Sequence, residues 1–541
     1  MIGEKLGVAV AVLLCATAVL ARPPRISDRA RAAAMLGALV LTPVLLVIDI
    51  WDTSQLRHLR NHPALAAAAI VAGLIALAVL ALLFHRRPPA FPLLALLALP
   101  FRLPISTGGS TSNLLIPLYL VVGAGALAYL APRLLAPGSA GADPSSASTP
   151  HPLSRHASLG EPAVEPLAAH ALPGEPPPGR LEWLLMGAVV LYGLQAAYSS
   201  DFSKALENVV FFYVPFALLF MLLRRVRWTR ELLLVCFGVA LALAVLFAGI
   251  GFVEYHRREL LLNPKVIYAN QYDNYFRVNS LFFDPSIYGR FLALVMLGVS
   301  TIVLWCTRRR DVLLGALVLL WLLAGLVTSF SQSSIAALLL GLAVLAAWRW
   351  DVRRTLYAAA ALLAVAAVVV LAAPAGLHIG LKGHGGSASN ATSGRSKLVS
   401  KGLQLFADKP LQGFGPGSFP REYRLHDHVS NASATSASHT TPITVAAEQG
   451  VVGLALYAAL LLAAFITLFA GARRSPPRIA LAACFAALIL HTWTYADFLE
   501  DPLTWTLLGI GAALASADAH ARRRAAPPLA TSARAAVSAG V

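Results

Sequence analysis

The stretch "ELLLVCFGVALALAVLFAGIGF" (Glu231–Phe252) decides the structural class of this protein. It contains no charged side chain after Glu231, and it is long enough to cross a bilayer as one helix of roughly 20 apolar residues. The run "PALAAAAIVAGLIALAVLALLF" (Pro63–Phe84) has the same character. The chain of 541 residues is 58% hydrophobic and 13% charged, with a mean hydropathy of +0.70, whereas soluble domains carry about 25% charged residues. These features predict an all-α polytopic membrane protein, built as a multi-helix transmembrane bundle.

The net charge of +17 is a signal of membrane topology. The arginines concentrate in short segments between apolar runs, such as "RRVRWTR" (224–230), "RRRD" (308–311) and "RRSPPR" (473–478). Short loops rich in Lys and Arg remain in the cytoplasm. This distribution argues against a nucleic-acid-binding protein. It predicts about fifteen spans, with the amino terminus outside and the carboxyl terminus in the cytoplasm.

The alternation of apolar and polar segments divides the chain into six predicted parts. A segment rich in Pro, Ser and Ala cannot bury a core, so we interpret it as a disordered linker. In order, the parts are amino-terminal transmembrane helices (1–133), the cytoplasmic linker (134–180), central transmembrane helices (181–374) with an external loop (254–290), a large extracytoplasmic catalytic loop (375–445), carboxy-terminal transmembrane helices (446–518) and a basic cytoplasmic tail (519–541).

Within the large loop, "PLQGFGPGSF" (Pro410–Phe419) resembles a phosphate-binding loop in its glycine content. It lacks the Lys-Ser/Thr that ends a nucleotide-binding loop, and it lies on the side where ATP is absent. Its glycines predict a tight turn with positive φ, a geometry that can offer backbone N–H groups to an anion. The preceding "RSKLVSKGLQLFADK" (Arg395–Lys409) predicts an amphipathic helix whose apolar face dips into lipid and whose cations meet head groups.

Histidine is the usual general base near neutral pH, and the large loop contains several candidates. His439 lies in "SHTTPITVAAEQG", nine residues before Glu448. His426 and His428, in "RLHDHVS", are equally good candidates on chemical grounds. The residues by themselves do not choose among the three.

Three blocks of sequence together resemble the O-antigen ligase and O-antigen polymerase superfamily. The likeness extends over about residues 201–514, and in the family pattern a His and a Glu also stand nine apart, which singles out His439. The three blocks are "FRVNSLFFDPSIYGRFLAL" (276–294), "RSKLVSKGLQLFADKPLQGFGPGSF" (395–419) and "HTTPITVAAEQGVVG" (439–453).

This resemblance implies a membrane glycosyltransferase with a GT-C-like bundle and a partly helical cap formed by the large loop. It implies a bacterial inner-membrane protein whose active site faces the periplasm or the cell exterior. The donor would be a glycan on polyprenyl (undecaprenyl) diphosphate, and the acceptor a hydroxyl of a lipid, glycan or protein. Transfer would invert the anomeric configuration and would use no metal, cofactor or nucleotide.

The resemblance also implies roles for particular residues. His439 would be the general base, and the leaving diphosphate would be bound by Arg277, Arg290 and Arg395. Glu448 would orient His439 or cap the helix that follows it. Gly415 and Gly417 would support this site.

Other functions stay open from the sequence. A polysaccharide polymerase of the same superfamily shares these motifs, and a flippase for lipid-linked glycans or a non-catalytic scaffold would also suit the membrane. A transporter needs ionisable groups at mid-membrane depth, and the spans from Glu231 onward contain few. The aromatic and acidic segment "HTWTYADFLEDPLTW" (His491–Trp505) we interpret as an interfacial anchor in preference to a sugar contact.

Overall fold

The computed structural model describes residues 2–21, 26–49, 51, 61–107, 110–135, 178–261, 276–350, 353, 395–428 and 438–525. Most of the predicted linker (134–180) lies outside the described residues. So do residues 375–394 and 429–437 of the predicted catalytic loop, and the tail beyond residue 525.

The described residues form helices almost throughout. Their bounds are α1 Ile2–Leu20, α2 Asp28–Asp49, α3 Pro63–Arg86, α4 Ala90–Ala98, α5 Ile116–Leu135, α6 Arg180–Ala196, α7 Phe202–Asn208, α8 Val214–Arg225, α9 Arg230–Arg257, α10 Pro285–Trp305, α11 Arg309–Thr328, α12 Gln332–Arg349, α13 Arg395–Asp408, α14 Phe419–Asp427, α15 Thr441–Phe469, α16 Pro476–Thr494 and α17 Pro502–Ala525. A π-helical turn, Val209–Tyr213, joins α7 to α8 without a break.

Within the described residues, 11 helices are long and apolar enough to cross a membrane. This confirms the predicted polytopic helical fold. The sequence "FPLLALLALPFRLPI" (91–105) is short for a membrane span and is interrupted by prolines. There the structure has the nine-residue helix α4 and then a small antiparallel hairpin, β1 (Leu103–Thr107) and β2 (Ser110–Leu114), with Leu103 opposite Leu114.

Contacts between helix ends separate the polar segments into two groups. At one end, Arg349 Nε donates to the carbonyl of Leu304 at 3.1 Å, which joins the arginine-rich ends of α10 and α12. At the other end, Val278 N donates to the carbonyl of Thr328 at 3.2 Å. The candidate site residues at the start of α10, at the end of α11 and in the segment before α10 therefore lie at the end of the bundle opposite the arginine-rich end.

Helix α13 forms where the sequence predicted an amphipathic helix, but its environment differs. Leu398 and Leu405 are buried in a cluster with Phe419 of α14 and Ala447 of α15. The apolar face is therefore covered by protein and not by lipid. Its lysines are also bound within the protein, because Lys401 Nζ lies 2.9 Å and Lys397 Nζ 3.2 Å from the Asp427 carboxylate.

Candidate active site

The loop between α13 and α14, which we call the glycine loop (residues 410–419), has the positive-φ turns that its glycines predict. The left-handed positions are Gly413 (φ 68°), Gly415 (φ 94°) and Gly417 (φ 73°). Contacts with the rest of the protein also require glycine, since a β-carbon on Gly415 would collide with the backbone of Ser199. The loop is therefore a tightly packed element of the fold.

The anion bound by the glycine loop is the protein's own Glu448. Its carboxylate accepts the backbone N–H of Gly417 at 2.9 Å and that of Phe419 at 3.0 Å, while its carbonyl accepts the N–H of Gly415 at 2.8 Å. These are the donors that a phosphate would have used. Glu448 thus caps the amino terminus of α14, a neighbouring helix. The sequence predicted instead that Glu448 orients His439 or caps the helix in which it lies.

Helix α15 is interrupted so that it fits the glycine loop. Gly450 has φ 67° and ψ −165° within the helix, and Val451 N donates across to the carbonyl of Pro410 at 2.7 Å. A β-carbon on Gly450 would collide with the carbonyl of Leu411. Loop and helix therefore hold each other in a single arrangement, directly after the segment that carries His439.

His439 lies at the turn that opens α15, with φ 57° and a half-buried side chain. Its ring centroid is 5.8 Å from that of Tyr495, and Tyr495 is 5.6 Å from the ring of His491 on α16. His491 is fully buried, and its Nε2 lies 3.1 Å from Ser334 Oγ. Tyr495 therefore lies between two histidines, of which the sequence motifs indicate only His439.

Arg277 reaches the same region through a serine-rich turn. Its Nε donates to the carbonyl of Ser329 at 3.2 Å, and Ser329 Oγ accepts the N–H of Ser331. Ser331 Oγ in turn lies 2.7 Å from Ser334 Oγ, which contacts His491. Arg277 is therefore connected to the histidine–tyrosine group through the turn between α11 and α12.

Arg290 is buried in the second turn of α10, where it forms an ion pair. Its Nη2 lies 2.6 Å from Asp501 Oδ2, and both side chains are almost fully buried. Asp497 interacts electrostatically with Arg290 and with Arg102. Within the part of the chain that the structure describes, Arg290 Nε and Nη1 have no hydrogen-bond partner. Buried guanidinium donors of this kind usually bind an anion or water.

The remaining predicted site residues lie elsewhere or are only partly described. Arg395 begins α13, but its side chain lies outside the described residues, so its role stays a prediction. His426 lies in α14, and its Nε2 is 3.8 Å from Oε2 of Glu422 in the same helix. The ring centroid of His426 is 6.1 Å from that of Phe414. His428 ends α14 with φ 50°. The described contacts therefore place His439 beside Tyr495, and His426 beside Glu422 and Phe414.

The aromatic and acidic segment 491–505 is part of this site, which corrects its interpretation as an interfacial anchor. Trp505 is fully buried and donates its indole N–H to the carbonyl of Leu499 at 2.9 Å. Asp501 is the partner of Arg290. Clustered carboxylates next to a membrane helix must be paired or shielded, and this requirement is the sequence signal that would have indicated a site here.

A polar cavity of about 330 Å³ lies next to the turn between α16 and α17, which contains Asp497 and Glu500. Its aromatic walls come mainly from α6, the π-helical turn and α15, and its polar wall contains four carboxylates and two cations. The aromatic side chains are Tyr192, Phe211, Phe212, Tyr213, Phe283, Tyr457 and Phe498; the charged ones are Glu207, Glu448, Asp497, Glu500, Arg102 and Lys204.

A larger cavity of about 1170 Å³ is lined almost entirely by apolar side chains of α4, α9, α10, α16 and α17. At one end it includes Arg230 and Arg308 of the basic loops. At the other end it includes Phe291, which follows Arg290 in the sequence, and Leu503, which lies two residues after Asp501. The apolar cavity therefore runs from the basic end of the bundle to the buried ion pair.

Burial perturbs the acidic groups of the turn between α16 and α17. Burial, together with the nearby carboxylates of Asp497 and Glu448, raises the pKa of Glu500 to about 8. Burial also raises the pKa of Asp497, which the guanidinium groups of Arg290 and Arg102 partly oppose. Neighbouring carboxyl groups with raised pKa values, such as Glu500 and Asp497, are a frequent feature of functional sites.

Among the residues that the structure describes, no group of three or more His, Cys, Asp and Glu side chains is arranged to hold a metal ion. The described acidic groups of the site are instead occupied by backbone N–H groups, by Arg290 and by Asn208. Metal independence itself stays a prediction.

Comparison with known proteins gives a family match over the centre of the chain. Residues 317–458 match the family model described as O-antigen ligase. The matched region begins in α11 and ends in α15, so it includes α13, the glycine loop, His439 and Glu448. It leaves out Arg277 and Arg290. A search of curated proteins found no match to this chain.

Proposed function

We propose that this chain, whose residues 317–458 match the O-antigen ligase family model, transfers a glycan from a polyprenyl-diphosphate donor to an acceptor hydroxyl. The observation that carries this proposal is Arg290, a buried cation with two guanidinium nitrogens, Nε and Nη1, left unpaired among the described residues. It lies where the apolar cavity meets the polar end of the bundle.

The leaving diphosphate is bound by arginines. Arg290 supplies its unpaired donors, Arg277 and Arg395 add charge from neighbouring segments, and Arg102 extends the cluster. A planar, permanently charged guanidinium suits a diphosphate, and fixed cations stabilise the charge that develops as the leaving group departs. Asp501 holds Arg290 in place, because an unpaired buried arginine would cost several kcal/mol.

The apolar cavity holds the polyprenyl tail. Its walls begin at Phe291 and Leu503, next to Arg290 and near Asp501, so a diphosphate at Arg290 leaves its tail at the cavity mouth. The tail then runs between α9, α10 and α16 towards the basic end, in contact with apolar side chains for most of its course. Burial of this hydrocarbon supplies binding free energy in proportion to its area.

His439 acts as the general base. It accepts the proton of the acceptor hydroxyl while that oxygen forms a bond to the anomeric carbon of the donor sugar. The bond from this carbon to the diphosphate oxygen breaks, and the electron pair leaves with the diphosphate. A single displacement inverts the anomeric configuration and needs no metal or nucleotide. The site faces the extracytoplasmic side, because the basic loops occupy the opposite end of the bundle.

The test is glycan transfer by the purified full-length protein in liposomes. The reaction contains a polyprenyl-diphosphate oligosaccharide and chelator but no nucleotide, and it compares wild type with His439→Ala and Arg290→Lys. We expect His439→Ala to lower the rate by about 10²–10⁴-fold. The matched control is His520→Ala, an exposed histidine of α17, which should retain full activity.

Unchanged transfer by folded His439→Ala would rule out the general base. Lipid flipping without transfer by wild type would favour a transporter. Products of increasing length, in place of a single addition to a lipid or protein, would identify a polymerase.

A further inference from the structure

The polar cavity of about 330 Å³ contains features that the transfer chemistry alone does not use. Ligand pockets usually have volumes of roughly 300–1,000 Å³, apolar or aromatic walls and a few converging polar groups. This cavity is at the small end of that range, the size for one or two sugar rings and not for a long glycan. Its lining combines rings with hydrogen-bond acceptors, as sugars require.

A π-helical turn shapes one wall of this cavity. Between α7 and α8 the chain follows π-helical geometry over Val209–Tyr213, with Val214 N donating to the carbonyl of Val209. Phe211, Phe212 and Tyr213 all line the cavity, although three consecutive residues of a regular helix point in different directions. Single π-helical turns inside α-helices occur frequently at functional sites. The irregularity thus brings aromatic rings to the cavity.

A hydrogen-bonded polar group stands beside these rings. Asn208 Nδ2 lies 2.7 Å from Tyr192 Oη and 3.3 Å from Glu500 Oε1. The ring of Tyr192 stacks on that of Tyr213, with centroids 4.1 Å apart. Aromatic faces bind the C–H faces of a sugar ring, and the carboxyl of Glu500 accepts hydrogen bonds from its hydroxyl groups.

The charge of the lining discriminates between classes of sugar. Lys204 is neutralised by Glu207 at 3.0 Å, and Glu448 is committed to the glycine loop. Asp497, Glu500 and Arg102 remain to face a ligand, and Glu500 Oε1 also accepts from Asn208 at 3.3 Å. An acidic sugar would bring its carboxylate close to these groups, and the burial that raises the pKa of Asp497 and of Glu500 also disfavours the charged form of the sugar carboxylate.

We propose that this cavity is a saccharide subsite that binds a neutral sugar ring and rejects an acidic one. Its ligand is the sugar nearest the diphosphate of the donor, since Arg102 and Asp497 join the cavity to Arg290. This inference deepens the proposed function and rests on it for the identity of the donor. The subsite itself has a readout that does not depend on transfer.

The test is saccharide binding to the full-length protein in nanodiscs, followed by saturation-transfer NMR. The probes are methyl glucoside and methyl glucuronide, which differ in one carboxylate. We expect the neutral probe to bind about tenfold more tightly than the acidic one. Ala188→Phe, which fills the cavity, should abolish binding, whereas Ala67→Phe on the exposed face of α3 should not change it.

A second variant tests the charge argument. Glu500→Lys should raise the affinity for methyl glucuronide about tenfold relative to methyl glucoside. Equal binding of the two probes by wild type, or retained binding by Ala188→Phe, would overturn the subsite. Glycan transfer without any saccharide binding would refute the subsite alone. Binding of the neutral probe without transfer from a lipid donor would refute the proposed function alone.

Discussion

The glycine loop and the segment Arg277–Asp284, which we call the arginine segment, are both held by a buried glutamate of a membrane helix. Glu448 of α15 accepts two backbone N–H groups, at 2.9 and 3.0 Å. Glu254 of α9 accepts the N–H of Ser280 at 2.8 Å and that of Leu261 at 3.1 Å. The same arrangement therefore fixes both segments.

The two segments differ in what they leave strained and unpaired. Every left-handed position of the glycine loop is a glycine, whereas the arginine segment places Ser280 at φ 52°. Within the described residues, the side-chain amide of Asn279 and the hydroxyl of Ser280 are buried without hydrogen-bond partners. A strained backbone costs about 1–3 kcal/mol, and such strain collects where ligands bind.

This difference separates support from function. The glycine loop has used its donors on Glu448 and on the backbone of α15, so it is a finished structural element. The arginine segment retains unmet polar groups next to Arg277, and it leads into the helix that carries Arg290. We therefore expect changes in the glycine loop to lower stability and changes in the arginine segment to lower transfer.

The largest expected effect on stability is that of Gly415→Ala. A β-carbon there meets the Ser199 backbone, and φ of 94° is unfavourable for alanine, so we expect a loss of about 3 kcal/mol or more. Thermal unfolding in detergent measures it. Gly238→Ala in α9 is the matched control, because nothing lies near its β-carbon and its effect should stay within about 1 kcal/mol. Wild-type stability of Gly415→Ala would show that the loop is not clamped.

An intermediate effect is expected when each anchoring glutamate is replaced by glutamine. Glutamine keeps the size but presents an NH₂ group to one of the two N–H donors, so Glu448→Gln and Glu254→Gln should each cost about 2 kcal/mol. Chemical denaturation of the purified variants compares them, with the exposed Glu231→Gln as control. A large loss in one and none in the other would break the parallel between the two segments.

The smallest expected effect on stability is that of Asn279→Ala. Removing a buried amide that has no partner among the described residues should change stability by no more than about 1 kcal/mol, while transfer activity falls, because we expect this amide to contact the donor. Unfolding and glycan transfer are measured on the same preparation. A loss of stability with normal transfer would assign Asn279 to the core and would remove the functional distinction between the segments.

Local patterns in the sequence predicted much of the fold and part of the site. The apolar runs predicted the membrane helices, and the amphipathic pattern predicted α13. The glycines of residues 413–417 predicted positive φ, because glycine alone adopts it freely. These features depend on residues close together in the chain, so they can be derived from it.

The partners of the charged groups could not be derived in this way. Asp501 lies in a segment that resembled an interfacial anchor, and only the packing of α10 against α16 and α17 brings it to Arg290. His491 carried no motif, yet it shares Tyr495 with His439. The apolar face of α13 predicted contact with lipid, whereas in the structure α14 and α15 cover this face.

The sequence by itself determined a polytopic helical membrane protein, with its basic loops at one end, its polar segments at the other and a glycine turn before α14. These follow from the hydrophobicity of single segments and from local backbone preferences. The tertiary structure decided which buried charges meet, that Glu448 occupies the donors of the glycine loop, and that a π-helical turn lines a cavity with aromatic rings. The physical reason is that burying charged or polar groups is favourable only with partners, and packing between distant segments selects those partners.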